Sequence, residues 1–278
     1  MSTPTNQGPP PLPLKPARHI LSLSGGKDST ALAIYMRDRV PDMEYAFCDT
    51  NKELQETYDY LRKLEAFLGK EIVRLKPDGD GFDELLKRRN GYLPSPQVRW
   101  CTELLKIKPF EKYVGEDPVI SYVGIRADEP KRKGYISTKP NITARFPFIE
   151  DGIRHADVLR ILEKSGLGIP AYYEWRSRSG CYFCFFQQRR EWVGLLERHP
   201  DLYQEAMKYE RVDPVTGEKY TWVDRESLEE LAKPDRVRQI KAEYEQKQKA
   251  QPSPKANSPL HTVFSGDSLE SGCLVCHL

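Results

Sequence analysis

His19-Ile20-Leu21-Ser22-Leu23-Ser24-Gly25-Gly26-Lys27-Asp28-Ser29-Thr30-Ala31-Leu32 carries the architecture of this 278-residue chain. Residues 19–24 form a short apolar run that reads as a buried strand, and residues 28–39 (DSTALAIYMRDR) read as a helix. The two glycines between them permit a tight turn. Backbone N–H groups at such a turn and at the helix start attract phosphate, and Lys27 adds a point charge. Ser24 and Ser29 offer hydroxyls, and Asp28 offers a carboxylate that can cap the helix or hold magnesium indirectly. Gly-Gly alone is equally at home in a capped turn without a ligand.

Outward from this point, short apolar runs alternate with amphipathic stretches. Residues 43–49 (MEYAFCD) read as a strand, 52–69 as a helix closed by Gly69, and 71–76 (EIVRLK) as a third strand. A helix over 81–89, a loop with Pro94 and Pro96, a helix over 102–113 and a strand over 118–125 (PVISYVGI) continue the alternation. That alternation predicts βαβ units, hence an α/β domain with a parallel sheet flanked by helices, over residues 18–170. Helical signals dominate residues 171–247, with a break at Pro234. Residues 1–17 hold six prolines and read as a disordered tail; residues 248–278 read as a linker and a cysteine-bearing tail.

Composition narrows the function. Forty-three basic and forty-one acidic residues leave a net charge of +2, too little to make the whole surface a nucleic-acid or membrane binder. No apolar run approaches the ~18 residues of a membrane span, and the first residues lack the apolar segment of a secretory signal. The cytoplasm is therefore the expected compartment. There the six cysteines point to metal or redox chemistry instead of disulfides.

Three segments beyond the glycine loop share its chemistry. Cys48-Asp49-Thr50-Asn51-Lys52-Glu53 ends the second strand, placing Asp49 and Thr50 at the carboxyl edge of the sheet, where open α/β folds bind ligands. The second is Arg99-Trp100-Cys101-Thr102-Glu103-Leu104-Leu105-Lys106, and the third is Gly124-Ile125-Arg126-Ala127-Asp128-Glu129 after the fourth strand. Together with Ser24–Ser29 they resemble the PP-loop ATP pyrophosphatases and, within them, the phosphoadenylylsulfate (PAPS) reductase-like family. The intact S-G-G-K-D-S loop is similar to that of ATP-cleaving relatives, notably the DndC/SspD-like branch of DNA phosphorothioation and phage defence. The resemblance implies ATP and Mg2+ as ligands, with Ser22, Ser24, Gly25, Gly26, Lys27, Asp28, Ser29, Asp49, Thr50, Lys106, Gly124 and Arg126 around the nucleotide. Of these, Lys27, Asp28, Ser29 and Arg126 are implied to be catalytic. It also implies DNA, a sulfur donor such as a cysteine desulfurase, and other subunits of a modification complex as partners. His19 is expected to line the nucleotide site in a minor way. Lys108, Lys131, Arg132 and Lys133 are further cations at the expected ligand edge.

Four cysteines form two C-x-x-C pairs, Cys181/Cys184 and Cys273/Cys276. Soft thiolates select zinc or iron–sulfur, and C-x-x-C lets two sulfurs converge on one centre. One reading joins both pairs around Zn2+, although 88 residues separate them. The family resemblance implies the other: a [4Fe–4S] cluster held by Cys101, Cys181, Cys184 and either Cys273 or Cys276. A sulfonucleotide reductase with a catalytic tail cysteine, or a non-catalytic nucleotide- and DNA-binding subunit, are the competing functions. Cys48 reads as a small buried hydrophobe.

Overall fold

The computed structural model describes residues 15–79, 81–130, 132, 137–213 and 215–250. Residues 1–14 and 251–278 lie outside it, and with them most of the expected N-terminal tail and both Cys273 and Cys276.

Five parallel strands form one sheet in the order β3-β2-β1-β4-β5: β1 (Arg18–Leu23), β2 (Glu44–Cys48), β3 (Ile72–Leu75), β4 (Val119–Tyr122) and β5 (Ile142–Arg145). Successive side chains of a strand point to opposite faces, and the sequence uses both. Leu21, Leu23, Tyr45 and Phe47 pack on one face with α1 (Lys27–Met36), α2 (Gln55–Leu68) and α7 (His155–Ser165). Ile20, Ala46 and Cys48 pack on the other against Phe110 and Val114 of α5 (Lys108–Val114). Apolar residues facing both ways are what a sheet covered on both sides requires. Gly69 ends α2 in the left-handed conformation (φ +63°), as its position predicts.

A third core joins residues of the first region to those after Pro170. Phe82 and Leu86 of α3 (Phe82–Arg88) and Trp100 of α4 (Trp100–Thr102) pack with Phe183, Trp192, Tyr203, Trp222 and Ile240. Phe183 and Trp222 stack at 5.0 Å, and Phe82 meets Phe183 at 4.4 Å. Around them lie α8 (Arg189–Arg198), α9 (Pro200–Lys208), α10 (Leu228–Leu231) and α11 (Pro234–Ala250), with Pro234 starting α11.

Several expectations shift. The helix expected over 102–113 begins at Trp100 and contains a π-helical turn over Glu103–Ile107 before α5. The fourth strand is only Val119–Tyr122, so residues 123–126 are loop. β5, α6 (Pro147–Glu150), α7 and a two-stranded ribbon (β6, Arg211–Val212; β7, Lys219–Tyr220) have no counterpart in the sequence reading. Residues 248–250, read as linker, belong to α11. No described helix is long and apolar enough to cross a membrane.

Candidate functional site

The strand order reverses direction between β1 and β4, so the loops after these two strands face one crevice, the usual ligand position in an open α/β sheet. Ser24–Ser29 follows β1. Gly25 has φ +71°, and a Cβ there would lie 2.5 Å from Thr57 Cγ2, so glycine is needed for both reasons. The loop closes on itself: Ser24 N–H donates to Ser29 Oγ (3.2 Å), and the two serine hydroxyls are 3.1 Å apart. Ser22, buried in β1, has an Oγ with no partner among the described residues.

From the β4 side, Gly124 lies against the loop; a Cβ on it would sit 3.2 Å from Asp28 O. Arg126, 7% exposed, gives Nη1 to Asp28 (2.7 Å) and Nε to Asp128 (3.0 Å), and its Nη2 lies 3.4 Å from Glu129. Burial pulls its pKa down, but these carboxylates outweigh that and raise it. Arg126 thus anchors Asp28, and its guanidinium is already enclosed by carboxylates. His155, at the start of α7, joins the group: its backbone N–H donates to Asp128 (3.3 Å). Burial, then Lys27 and Arg126, push its imidazole below the usual value, toward the neutral form. Gly26, not Asp28, is the N-cap of α1.

The segment after Pro170 lies directly on this loop. Tyr172 OH donates to Gly25 O (2.8 Å), and Lys27 N–H donates to Tyr173 OH (3.2 Å). The Tyr173 ring sits 4.7 Å from Lys27 Nζ. Ser179 Oγ reaches Ser24 Oγ at 3.1 Å, and a Cβ on Gly26 would meet Ser179 Oγ at 2.8 Å. Two residues on is Cys181. Arg176, 1% exposed, donates to Gly180 O (2.9 Å) and Cys181 O (2.7 Å), fixing the cysteine loop by charge-assisted bonds.

Beyond the loop, Asp49 orders its own turn, accepting from Asn51 N–H (2.9 Å) and Tyr58 OH (2.8 Å), with Asn51 at φ +56°. Thr50 Oγ1 donates to Glu53 (3.2 Å) and lies 3.3 Å from Cys181 Sγ. Burial pushes the Glu53 carboxyl up against the pull of Lys106 and Arg176. Desolvation lowers Lys106, but Glu53 and then the sulfurs of Cys181, Cys48 and Cys184 raise it on balance, so the ammonium stays charged. Lys106 therefore belongs to the cysteine corner.

Burial is the main reason that the Cys101 thiol rises to about 11 and Cys181 rises well above its usual value, and the charge of Cys184 pushes both further up. This donor set suits a thiophilic centre. Its placement stops short of one: among the described residues no group of three His, Cys, Asp or Glu side chains is set to hold a metal ion, and Cys181 Sγ is engaged by Thr50 and Glu53 (3.6 Å).

Cys48 is a core residue, 2% exposed, with its Sγ 3.4 Å from Lys106 O. His19 is not at the loop. It lies near the start of β1, five residues or about 16 Å before Ser24, bonded through Nδ1 to Tyr122 OH (2.8 Å). Lys108 is exposed beside Glu103 (3.5 Å), and Arg132 pairs with Glu129 (2.8 Å). Lys131 and Lys133 lie outside the described residues. Sequence reasoning missed Tyr172, Tyr173, Arg176, Ser179 and His155. Asp128 and Glu129, in the segment after the fourth strand, act here by holding Arg126.

An uncharacterized protein of Methanocaldococcus jannaschii is 29% identical over 72% of this chain and 42% of its own length. The chain spans less than half of that relative and of a second from the same organism (45%). A Staphylococcus haemolyticus protein named adenosine 5'-phosphosulfate reductase is 28% identical over 40% of this chain and 45% of its own. A crystal structure of phosphoadenylyl-sulfate reductase from Candida auris, in a phosphate complex, gives a TM-score of 0.48 at 17% identity, covering 60% of this chain and 82% of that one. Residues 18–167, β1 through α7, match the phosphoadenosine phosphosulfate reductase domain. The chain belongs to the phosphoadenosine phosphosulfate reductase domain family.

Proposed function

We propose that this protein binds Mg-ATP at the loop after β1 and transfers AMP to an acceptor oxygen, a DNA backbone phosphate, which sulfur then replaces. In the first step the acceptor oxygen attacks the α phosphorus and pyrophosphate leaves. In the second, a sulfur nucleophile from a donor such as a cysteine desulfurase attacks the adenylylated phosphorus and AMP leaves. The observation that carries this reading is the intact Ser24–Ser29 loop, held by Ser179 within two residues of Cys181. Phosphate chemistry and sulfur chemistry then share one wall.

Lys27 would offset charge on the departing pyrophosphate, and the loop N–H groups would hold it. Mg2+ is held mostly by phosphate oxygens in such sites, with one or two carboxylates, and Asp28 is the carboxylate on the loop. Arg126 would act by fixing Asp28. The side chains that would hold a [4Fe–4S] cluster are Cys101, Cys181 and Cys184, with Cys273 or Cys276. Anaerobically purified protein should then carry roughly four irons per chain; stoichiometric zinc without iron contradicts the cluster.

The acceptor is tested by nuclease digestion and mass spectrometry of DNA from cells with and without the protein. Sulfur-bearing dinucleotides present only with it support the reading; their absence from both contradicts it. The similarity to a protein named adenosine 5'-phosphosulfate reductase favours a second reading, in which a tail cysteine attacks the sulfur of an adenylylated sulfate. Only that reading produces an S-sulfocysteine on Cys273 or Cys276.

A further inference from the structure

The chain between Tyr173 and Cys184 reaches the site at both of its ends. At one end it occupies groups that a phosphate needs. Tyr173 OH takes the Lys27 N–H (3.2 Å), and Ser179 Oγ lies 3.1 Å from Ser24 Oγ and over Gly26, where a Cβ would meet it at 2.8 Å. A phosphate held by that N–H and that serine hydroxyl must displace both residues. At the other end the same chain holds the cysteine loop. Arg176 donates Nη1 to Gly180 O (2.9 Å) and Nη2 to Cys181 O (2.7 Å), and the Cys181 carbonyl also accepts the Cys184 N–H (3.0 Å). Tyr182 N–H donates to Lys52 O (2.8 Å), between Thr50 and Glu53, the two residues that engage Cys181 Sγ.

Between these ends the chain has a fixed point and a turn. Ser177 gives both its N–H (2.7 Å) and its hydroxyl (2.6 Å) to Glu191 Oε1, a carboxylate shut off from solvent, so this position is pinned to α8. Gly180 turns the chain at φ +131°, a conformation that a residue with a Cβ rarely adopts. Ser179 stands between the pin and the turn. A shift of Ser179 away from Ser24 is blocked on the Ser177 side and passes forward, through Gly180, to the Cys181 carbonyl. Coupling between two sites needs such a contiguous chain of packed and hydrogen-bonded groups.

We infer that the chain from Tyr173 to Cys184 is a latch, with Ser179 its positioning residue: phosphate binding at Ser24–Ser29 displaces Tyr173 and Ser179 and thereby loosens the cysteine loop. This deepens the proposed function and rests on its reading of Ser24–Ser29 as a nucleotide phosphate site, whatever the acceptor. Without nucleotide the cysteine loop is held shut, so sulfur is not released before an acceptor can be activated. The coupling is reciprocal: whatever loosens the cysteine loop tightens nucleotide binding by the same factor.

Hydrogen–deuterium exchange of the full chain, followed by mass spectrometry with and without Mg2+ and the α,β-methylene analogue of ATP, tests this. The analogue cannot be cleaved between its α and β phosphates, so the bound state persists. Exchange over residues 181–187, which include the bonded N–H groups of Tyr182, Cys184 and Gln187, should quicken about fivefold or more when the analogue saturates the protein. Exchange over α9, in the third core, should not quicken. Occupancy alone stabilises a fold and slows exchange, so a local quickening reports the latch and not mere binding. Ser179→Ala removes the hydroxyl that opposes the phosphate. This variant should bind the analogue about twofold to tenfold more tightly, by calorimetry, and should exchange faster than the wild type over 181–187 before any nucleotide is added. Unchanged or slower exchange over 181–187 in the wild type with the analogue bound overturns the inference. So does a Ser179→Ala variant in which the analogue quickens exchange by the full wild-type factor. If the analogue binds and residues 181–187 do not respond, this inference alone falls; if the analogue does not bind at all, the loop reading falls and takes this inference with it.

Discussion

Replacing Tyr173 with Phe removes a single oxygen and should tighten nucleotide binding. That hydroxyl accepts the Lys27 N–H at 3.2 Å, and Lys27 is the first residue of α1, where N–H groups are poised to meet phosphate. A nucleotide phosphate can take this donor only by displacing the hydroxyl. The net worth of a neutral hydrogen bond is about 0.5–1.5 kcal/mol, so Tyr173→Phe should lower the Kd for ATP or pyrophosphate about twofold to tenfold. The ring that lies 4.7 Å from Lys27 Nζ is kept, so the cation–π contact persists and the lysine does not lose its place. Isothermal titration calorimetry reads the change directly. Weaker binding would mean that the hydroxyl itself holds the phosphate, and an unchanged Kd would mean that the segment swings away without opposing the ligand. Either result refutes the view of Tyr173 as a competitor for the loop.

Two further perturbations test the framework. Gly194→Ala would put a Cβ 2.6 Å from Trp175 Cε3 inside the third core, and overpacking of this kind costs about 1–3 kcal/mol; the urea midpoint should fall while the m-value holds. Glu44 accepts from Arg18 Nε (2.8 Å) and Nη2 (2.7 Å) and from Tyr113 OH (2.6 Å), and the Arg18 bond chiefly holds its carboxyl below the ordinary value of 4.5. A depressed carboxylate stabilises the fold above its unfolded pKa, and the benefit is lost as pH falls through the folded value. Glu44→Gln should therefore cost about 1–2 kcal/mol at pH 7, with the gap to wild type closing below about pH 4.5. A gap independent of pH would contradict the ion pair's role.

What was legible in the sequence follows from range. The β1–loop–α1 unit announces itself because an apolar run, two glycines and a capped helix are consecutive, and Asp49, Thr50 and Arg126 were found because each follows a strand. β5 was not legible: its four residues alternate between half-buried and exposed at the sheet edge, too short and too polar to stand out. α7 carries readable signals, Val158, Leu159 and Leu162 on one face and Gly166 closing it at φ +75°. The π-turn at Glu103–Ile107 changes helical phase without altering residue type, so periodicity hides it. Tyr173 and Ser179 touch the loop from 146 and 155 residues away. A contact made by tertiary packing leaves no local pattern to read.

The most direct measurement is the product analysis of ATP labelled at the α phosphate, incubated with anaerobically purified protein, Mg2+ and DNA. Labelled AMP, or a labelled AMP–DNA adduct, is expected with pyrophosphate released in equal amount, and both are lost in Lys27→Ala. Labelled ADP with free phosphate, or AMP and pyrophosphate formed undiminished by Lys27→Ala, would contradict the proposed AMP transfer.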